Sequence, residues 1–382
     1  MSRRHVCVWS GKRGGYGALA PTMKTIANHP AMRLSVVVTD QHLYDRFGRT
    51  IEEVQEEFEI AAAIDMEQQG DTSRERGRAI GTCLVKSVDV LADLAPDVLL
   101  VIGDRGEVLA ACIAAHNLRI PIAHVQGGDV SGTLDDSVRH AVTKLAHVHF
   151  PSTEMAARRL VAMGEEPWRV HVVGVPHLDQ VFLGKTTCAD ELRARYQLPG
   201  ADPFLLVLQH SDSADAAHSR AQMAETVQAV RSLGLRTLFV YPCSDQGFEG
   251  IIAEIESVRD APGVTVHKNL PAADFIGLQA IAGCLVGNSS AGLIEAPYFG
   301  LPAVNVGARQ RGRDHVGNVL HVPYDHGQIR AAIVKALHDV EFRASCRTLR
   351  PPFGDGTAYE RMSRVLATVD LNERLLDKRI PC

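Results

Sequence analysis

The feature that most restricts what this chain can fold into is a succession of short apolar runs, rich in β-branched residues and separated by stretches of helical period. Residues 5–9 (HVCVW), 34–38 (LSVVV), 98–102 (VLLVI), 121–125 (PIAHV), 148–150 (VHF) and 171–174 (HVVG) read as strands. They lack the apolar–polar alternation of a half-exposed strand, so they predict strands covered on both faces, as in a parallel sheet flanked by helices. Helical spacing fills the intervals, for example at 85–95 and 135–147. The series then restarts with 204–208 (FLLVL), 236–241 (RTLFVY), 264–266 (VTV), 284–287 (CLVG) and 303–306 (AVNV). Two successive series of strand–helix units predict an α/β protein of two doubly wound, Rossmann-like lobes with a cleft between them.

A length of 382 residues suits two domains. The join is expected in GKTTCADELRARYQLPGAD, which mixes polar residues, a helical turn and a Pro-Gly stop. The expected division is 1–185, 186–356 and a tail, 357–382, whose helical periodicity runs through Tyr359, Met362, Val365, Leu366 and Val369. That tail is expected to pack as a final helix on the first lobe. Forty Lys and Arg against 45 Asp and Glu give a net charge of −5, which argues against general nucleic-acid or membrane-surface binding and leaves room for a local basic phosphate pocket. No run approaches the roughly 20 apolar residues of a membrane span. The N-terminal HVCVW is followed by Ser10, Lys12 and Arg13, too polar for a signal segment, so a cytoplasmic protein is expected. The eight cysteines (7, 83, 112, 188, 243, 284, 346 and 382) form no C-x-x-C pair and read as free, mostly buried thiols, with no metal site.

In a doubly wound sheet the chemistry sits just past the strands. The first strand runs into SGKRGGYGAL, a glycine-rich turn entering a helix, where Arg13 and Tyr16 are candidate ligand contacts. It is neither a Walker loop nor a convincing dinucleotide fingerprint, because no Lys-Ser/Thr follows and Gly11, Gly14 and Gly17 are spaced by three. VLLVIGDRGE places Asp104 at a strand mouth, as a catalytic acid or a helix cap. PIAHVQGGDVSGT brings His124, Gln126 and Asp129 to the same rim, and Gly127, Gly128 and Gly132 suggest a closely bent backbone. At LDDSVRHAV, Asp135 and Arg139 are i,i+4 partners, again with a structural and a catalytic reading. In the second half, His210 directly follows a strand, and Ser244 and Asp245 follow the next. CLVGNSSAGLIEAP puts Asn288, Ser289 and Ser290 at a helix start suited to a diphosphate, with Glu295 about two turns in and placed for ribose hydroxyls. Arg309, Arg311 and Arg313 fit phosphate or sugar-carboxylate recognition. A nucleotide-sugar site results, with acids on the first lobe and the nucleoside diphosphate on the second.

Together these segments, with VVTDQHL, VVGVPHLD, RQRGRDHVGNVLHV and FGDGTAY, resemble the hydrolysing UDP-N-acetylglucosamine 2-epimerases of sialic-acid-type sugar synthesis. The resemblance spans nearly the whole chain. It implies a glycosyltransferase-B-type fold, no cofactor, a nucleotide-sugar substrate and a homo-oligomer, dimer or tetramer. The implied reaction is anti elimination of the nucleoside diphosphate followed by water addition, releasing a free C2-inverted sugar. By motif, Asp104 matches the catalytic aspartate, Asp135 an essential acid beside Arg139, and His210 the histidine serving the leaving diphosphate. Ser289, Ser290 and Glu295 match the nucleotide-binding turn, Arg13 the first-loop arginine, and His42 of VVTDQHL a substrate contact.

Two positions depart from the pattern. The first loop, usually G-T-R-A-[DE]-Y, here has Gly15 in place of the acid, and H-[IV]-E-G-G-E has Gln126 in place of a catalytic glutamate. An amide orients water but cannot exchange protons near neutral pH. The preferred reading is a divergent member acting on a different sugar or stopping at a different step, such as hydrolysis without inversion. An introduced Gln126 and lost activity stand beside it. The wider alternatives are a non-hydrolysing 2-epimerase, a glycosyltransferase and a non-catalytic nucleotide-sugar sensor.

Overall fold

A computed structural model describes residues 3–131, 134–198, 200 and 202–379. Gly132 and Cys382, named above, lie outside the described residues. The first series of apolar runs forms a parallel six-stranded sheet: β1 (Arg4–Ser10), β2 (Met32–Thr39), β3 (Ile60–Ile64), β4 (Val98–Ile102), β5 (Ile122–Val125) and β6 (Val148–Phe150), in the order β3-β2-β1-β4-β5-β6. The second repeats the plan with β7 (Leu205–Leu208), β8 (Thr237–Val240), β9 (Val264–His267), β10 (Cys284–Gly287), β11 (Ala303–Val306) and β12 (Val319–Val322), ordered β12-β11-β10-β7-β8-β9. Every residue of β4, β5, β7, β8, β10 and β11 is buried, as the unbroken apolar runs require. Two doubly wound Rossmann-like units are therefore present.

The contacts within the chain define these units. One comprises Met1–Asp129, Leu134–Gly184 and Phe353–Cys382, the other Val130–Thr133 and Lys185–Pro352. In each sheet the order reverses at one place, between β1 and β4 in the first unit and between β7 and β10 in the second. A doubly wound sheet binds ligands outside the strand C-termini at such a reversal. The chain segments there are Ser10–Gly11 and Gly103–Asp104 in the first unit, and Gln209–His210 and Gly287–Asn288 in the second.

Some elements differ from expectation. Residues 171–174 make no strand; only a bridge between His149 and Val170 marks the place. The strands β3 and β12 lie outside the predicted runs, at sheet edges, and carry partly exposed residues. The helix expected at 85–95 runs over Ser73–Leu94 and opens with a capping box, Thr72 accepting from the Glu75 N–H while the Glu75 side chain returns to the Thr72 N–H. The helix expected at 135–147 spans Asp135–Leu145. The tail forms two helices, Ala358–Thr368 and Glu373–Leu376, rather than one.

The tail completes the first unit's core. Ala358, Met362, Leu366 and Leu375 are buried in the cluster that contains Val6, Leu19, Met23 and Leu100. Each of the three larger side chains contributes about 1.5–3 kcal/mol by leaving water. Arg169, 1% exposed, donates to the carbonyls of Leu375 (2.7 Å) and Arg374 (2.9 Å), satisfying the end of the last helix. Burial pushes the Glu165 carboxylate up, but the hydrogen bond from His149 (2.9 Å), joined by Lys378 at 2.6 Å and Lys144, holds it down at about 2. Of the described cysteines, Cys7, Cys83, Cys112, Cys284 and Cys346 are buried free thiols, Cys243 is half-buried and Cys188 exposed. No helix among the described residues is long and apolar enough to cross a membrane.

Candidate active site

In the first unit the chain leaves β4 through Gly103, at φ +87°, and reaches Asp104. Arg139, on the helix Asp135–Leu145 and 2% exposed, pairs with the Asp104 carboxylate. The same guanidinium pairs with Asp136 and donates to the Asp129 carbonyl at 2.7 Å. Arg139 therefore bonds Asp136, three residues before it, in addition to the Asp104 rim. The surrounding carboxylates raise its already high pKa and keep it charged. A carboxylate held against a permanent cation stays ionised, as a base must. Asp135, the first residue of that helix, is half-buried beside this pair in sequence.

Gln126 follows β5 with φ +67°, an unusual conformation for a residue with a side chain, and its N–H donates to the Phe150 carbonyl at 3.0 Å. Gly128 must be glycine: its φ is +79° and a Cβ would lie 2.3 Å from the Ala156 carbonyl oxygen. His124, read from sequence as a rim residue, is buried within β5, and desolvation pushes it down to about 3.

The glycine-rich turn after β1 places Arg13 as the first residue of the helix Arg13–Asn28. Tyr16 and His42 are both buried. The Tyr16 hydroxyl donates to Glu57 at 3.0 Å, and its ring sits in the first unit's core. The His42 Nε2 bonds Ser10 Oγ and its Nδ1 bonds Thr50 Oγ1, each at 2.8 Å, while burial lowers it to about 4. The hydrogen bonds of both residues thus serve the packing of the turn. Beneath the turn lies a cluster that no sequence pattern announces. Arg76 bonds Asp40 (3.0 Å) and Glu107 (2.6 Å), and Arg105 bonds the same two acids (3.2 and 2.8 Å). Gly11 lies so close that a Cβ there would stand 2.6 Å from Glu107 Oε1.

In the second unit, His210 leaves β7 and is 7% exposed. Its Nδ1 accepts from the Cys243 N–H at 3.1 Å, so the neutral ring carries its proton on Nε2 and offers it as a donor. Asn288, fully buried, bonds the His210 backbone twice and accepts from Gln310 through its own carbonyl at 2.8 Å. Ser289 Oγ accepts from the Ala291 N–H at 3.3 Å, and Ser290 opens a helix of one turn, Ala291–Ile294. Glu295 is the closing residue of that turn, nearer the helix start than the two turns expected. Its carboxyl is buried, Oε2 has no hydrogen-bond partner among the described residues, and desolvation lifts it to about 7 against a smaller opposing pull from Arg313. Ser244 is buried, and Asp245 stands 3.7 Å from Arg309. A fixed imidazole donor, serine hydroxyls, arginines and an unsatisfied carboxyl suit phosphate oxygens and sugar hydroxyls. Among the described residues no group of acidic, histidine and cysteine side chains could hold a metal ion.

Residues 24–367 match the family model described as UDP-N-acetylglucosamine 2-epimerase. A UDP-N,N'-diacetylbacillosamine 2-epimerase (hydrolyzing) from Legionella pneumophila is 34% identical over 377 residues, covering 98% of each chain. A UDP-N-acetylglucosamine 2-epimerase from Neisseria meningitidis is 31% identical over 369 residues, covering 95% of each. Among solved structures, the S. aureus MnaA–UDP co-structure superposes with a TM-score of 0.79 at 19% identity, over 95% of this chain and 96% of that one.

Proposed function

The chain belongs to the UDP-N-acetylglucosamine 2-epimerase family, and on that premise we propose that it is a hydrolysing 2-epimerase of a UDP-linked 2-acetamido sugar. The observation that carries the reading is Asp104, held as a carboxylate by buried Arg139 just past the β4 end of the strand reversal. The full-length likeness to the Legionella pneumophila enzyme, whose name specifies both hydrolysis and a diacetamido sugar, favours the hydrolysing reaction.

In the proposed reaction the C2–H bond breaks as a carboxylate takes the proton and the C1–O bond to the diphosphate breaks on the opposite face. A C1=C2 double bond forms and UDP departs. Water then returns its oxygen to C1 and a proton to C2 on the other face, giving the free, inverted sugar. The reading assigns the proton transfers to Asp104 and Asp135 of the first unit. His210 Nε2–H stabilises charge on the leaving phosphate, a role that needs a donor and no change of tautomer. Arg13 and Arg313 neutralise phosphate charge, Ser289 and Ser290 bond the diphosphate, and Glu295 takes the ribose hydroxyls. Gln126 cannot replace a proton-transferring glutamate; its amide orients the attacking water. A missing acid alone would slow its step by about 10²–10⁴-fold, and in this reading Asp104 and Asp135 carry that transfer in its place.

The test is NMR of the protein with UDP-N-acetylglucosamine and, separately, UDP-N,N'-diacetylbacillosamine in D₂O, following phosphorus and sugar protons. UDP release with deuterium at C2 of an inverted free sugar is the expected result. Interconversion of two nucleotide sugars without free sugar would establish the non-hydrolysing reaction instead. Release of an uninverted sugar would reduce the activity to hydrolysis. Turnover only with an added acceptor would identify a glycosyltransferase, and UDP binding without turnover of any nucleotide sugar would identify a sensor.

A further inference from the structure

Gly103 is tied to β5 through both of its peptide groups. Its N–H donates to the Val125 carbonyl at 3.0 Å, and its carbonyl oxygen lies 2.8 Å from His124 Nε2. A carbonyl only accepts, so the proton of the His124 ring is on Nε2. Nδ1 is then a bare acceptor, and among the described residues no protein donor reaches it. The ring is fully buried and walled on that side by Gly127, where an added Cβ would stand 3.1 Å from Nδ1 and 3.3 Å from Thr143 Oγ1. Thr143 and Arg139 lie one turn apart on the same helix. The left-handed backbone at Gly103 gives the turn no side chain of its own to hold it, and the residue that follows is Asp104.

We propose that His124 is a positioning residue: its ring, fixed as an Nε2–H donor to the Gly103 carbonyl, holds the turn that presents the Asp104 carboxylate to Arg139 and to the reacting sugar. The inference rests on the catalytic role assigned to Asp104 under the proposed function. The groups around the ring agree with a neutral imidazole. Burial is the largest influence and disfavours a positive charge there, His149 and Arg139 add to it, and the Gly103 carbonyl and Asp104 only partly offset them, setting the ring at about 3. A neutral donor keeps the turn in place without competing with Arg139 for the carboxylate.

His124→Leu removes the donor and keeps the bulk; His124→Gln restores an N–H at the reach of Nε2. The expected outcome is a kcat reduced by about 10–100-fold in His124→Leu, as for an ångström-scale misplacement of a reacting group. His124→Gln should recover most of it, and UDP affinity, measured by calorimetry, should stay within about twofold in both. Equal kcat in His124→Leu and wild type would overturn the inference. So would a His124→Gln variant as slow as His124→Leu, or a parallel loss of UDP affinity. A second readout needs no activity: in ¹⁵N-histidine-labelled wild-type protein, the imidazole signal lost in His124→Gln should show a neutral Nε2–H ring from pH 6 to 8. A Nδ1–H tautomer or an imidazolium in that range would reject the tether outright. If wild type turns over no nucleotide sugar, the functional reading fails alone, and the imidazole signal still decides whether His124 holds Gly103.

Discussion

Asn288 and His210 exchange a closed pair of hydrogen bonds: the Asn288 Oδ1 accepts from the His210 N–H at 2.7 Å, and its Nδ2 donates to the His210 carbonyl at 2.8 Å. The strand ends of β7 and β10 meet at the order reversal of the second sheet, and this side chain stitches them where the ladder stops. Asn288 therefore acts on the backbone that carries His210, a different task from the diphosphate contact expected of it in sequence.

Asn288→Leu should leave two buried backbone groups without partners, at about 1–3 kcal/mol each. Urea unfolding is expected to show a loss of roughly 2–6 kcal/mol. UDP affinity should fall as the imidazole loses its fixed position. Unchanged stability would mean that the strand ends close without the amide.

Arg139 serves three oxygens with one planar fork, which lysine cannot reproduce. Arg139→Lys should fold and bind UDP with near wild-type affinity while kcat drops by about 10²-fold or more. Arg139→Met breaks a buried pair and should cost about 3–5 kcal/mol of stability as well. Steady-state kinetics beside chemical denaturation separates the two effects.

The Glu295 carboxyl sets a pH dependence whose sign follows from burial. Its folded-state value is about 7 against an ordinary 4.5. Below pH 4.5 both folded and unfolded chains hold the proton. As pH rises from there through about 7, the unfolded chain ionises first, so the contribution to stability is lost across that window. The total is about 3 kcal/mol at 1.36 kcal/mol per unit. Glu295→Gln lacks this titration, and its stability relative to wild type should climb between pH 5 and pH 8 in ligand-free protein. A difference that stays flat with pH would show that water reaches the carboxyl.

Glu107 is fully buried between Arg76 and Arg105. Glu107→Ala removes the buried acid that both cations share and should destabilise the protein by about 3–5 kcal/mol. Gly11→Ala should also destabilise, through the methyl forced on the Glu107 carboxylate. A double-mutant cycle of the two is expected to be non-additive, since shortening Glu107 makes the room that the added methyl needs.

The central strands of both sheets were legible because continuous apolar β-branched runs have few other uses. The edges were harder: Ile60–Ile64 has three alanines and alternating exposure, and Val319–Val322 follows a polar arginine-rich stretch. The helix Ser73–Leu94 is hidden over its first half by RERGR and a second glycine, Gly81, which carry little apolar periodicity. Motif position located Asp104 and His210 just past strand ends, and Arg139 and Glu295 on the helical segments that follow strands. It could not tell a ligand contact from a buried brace, because Tyr16 and His42 look the same in sequence whichever way the side chain turns. Arg76, in a run of charges, gave no sign that its partners Asp40 and Glu107 lie 36 and 31 residues away.

The tail that fills the first unit's core also dictates when that unit can be finished during synthesis. Lys185–Pro352 is a continuous stretch with its own six-stranded sheet, whereas the unit begun earlier lacks Met362, Leu366 and Leu375 until that stretch has been synthesised. The unit that starts first is therefore completed after the one that starts second, with part of its apolar core uncovered in the meantime.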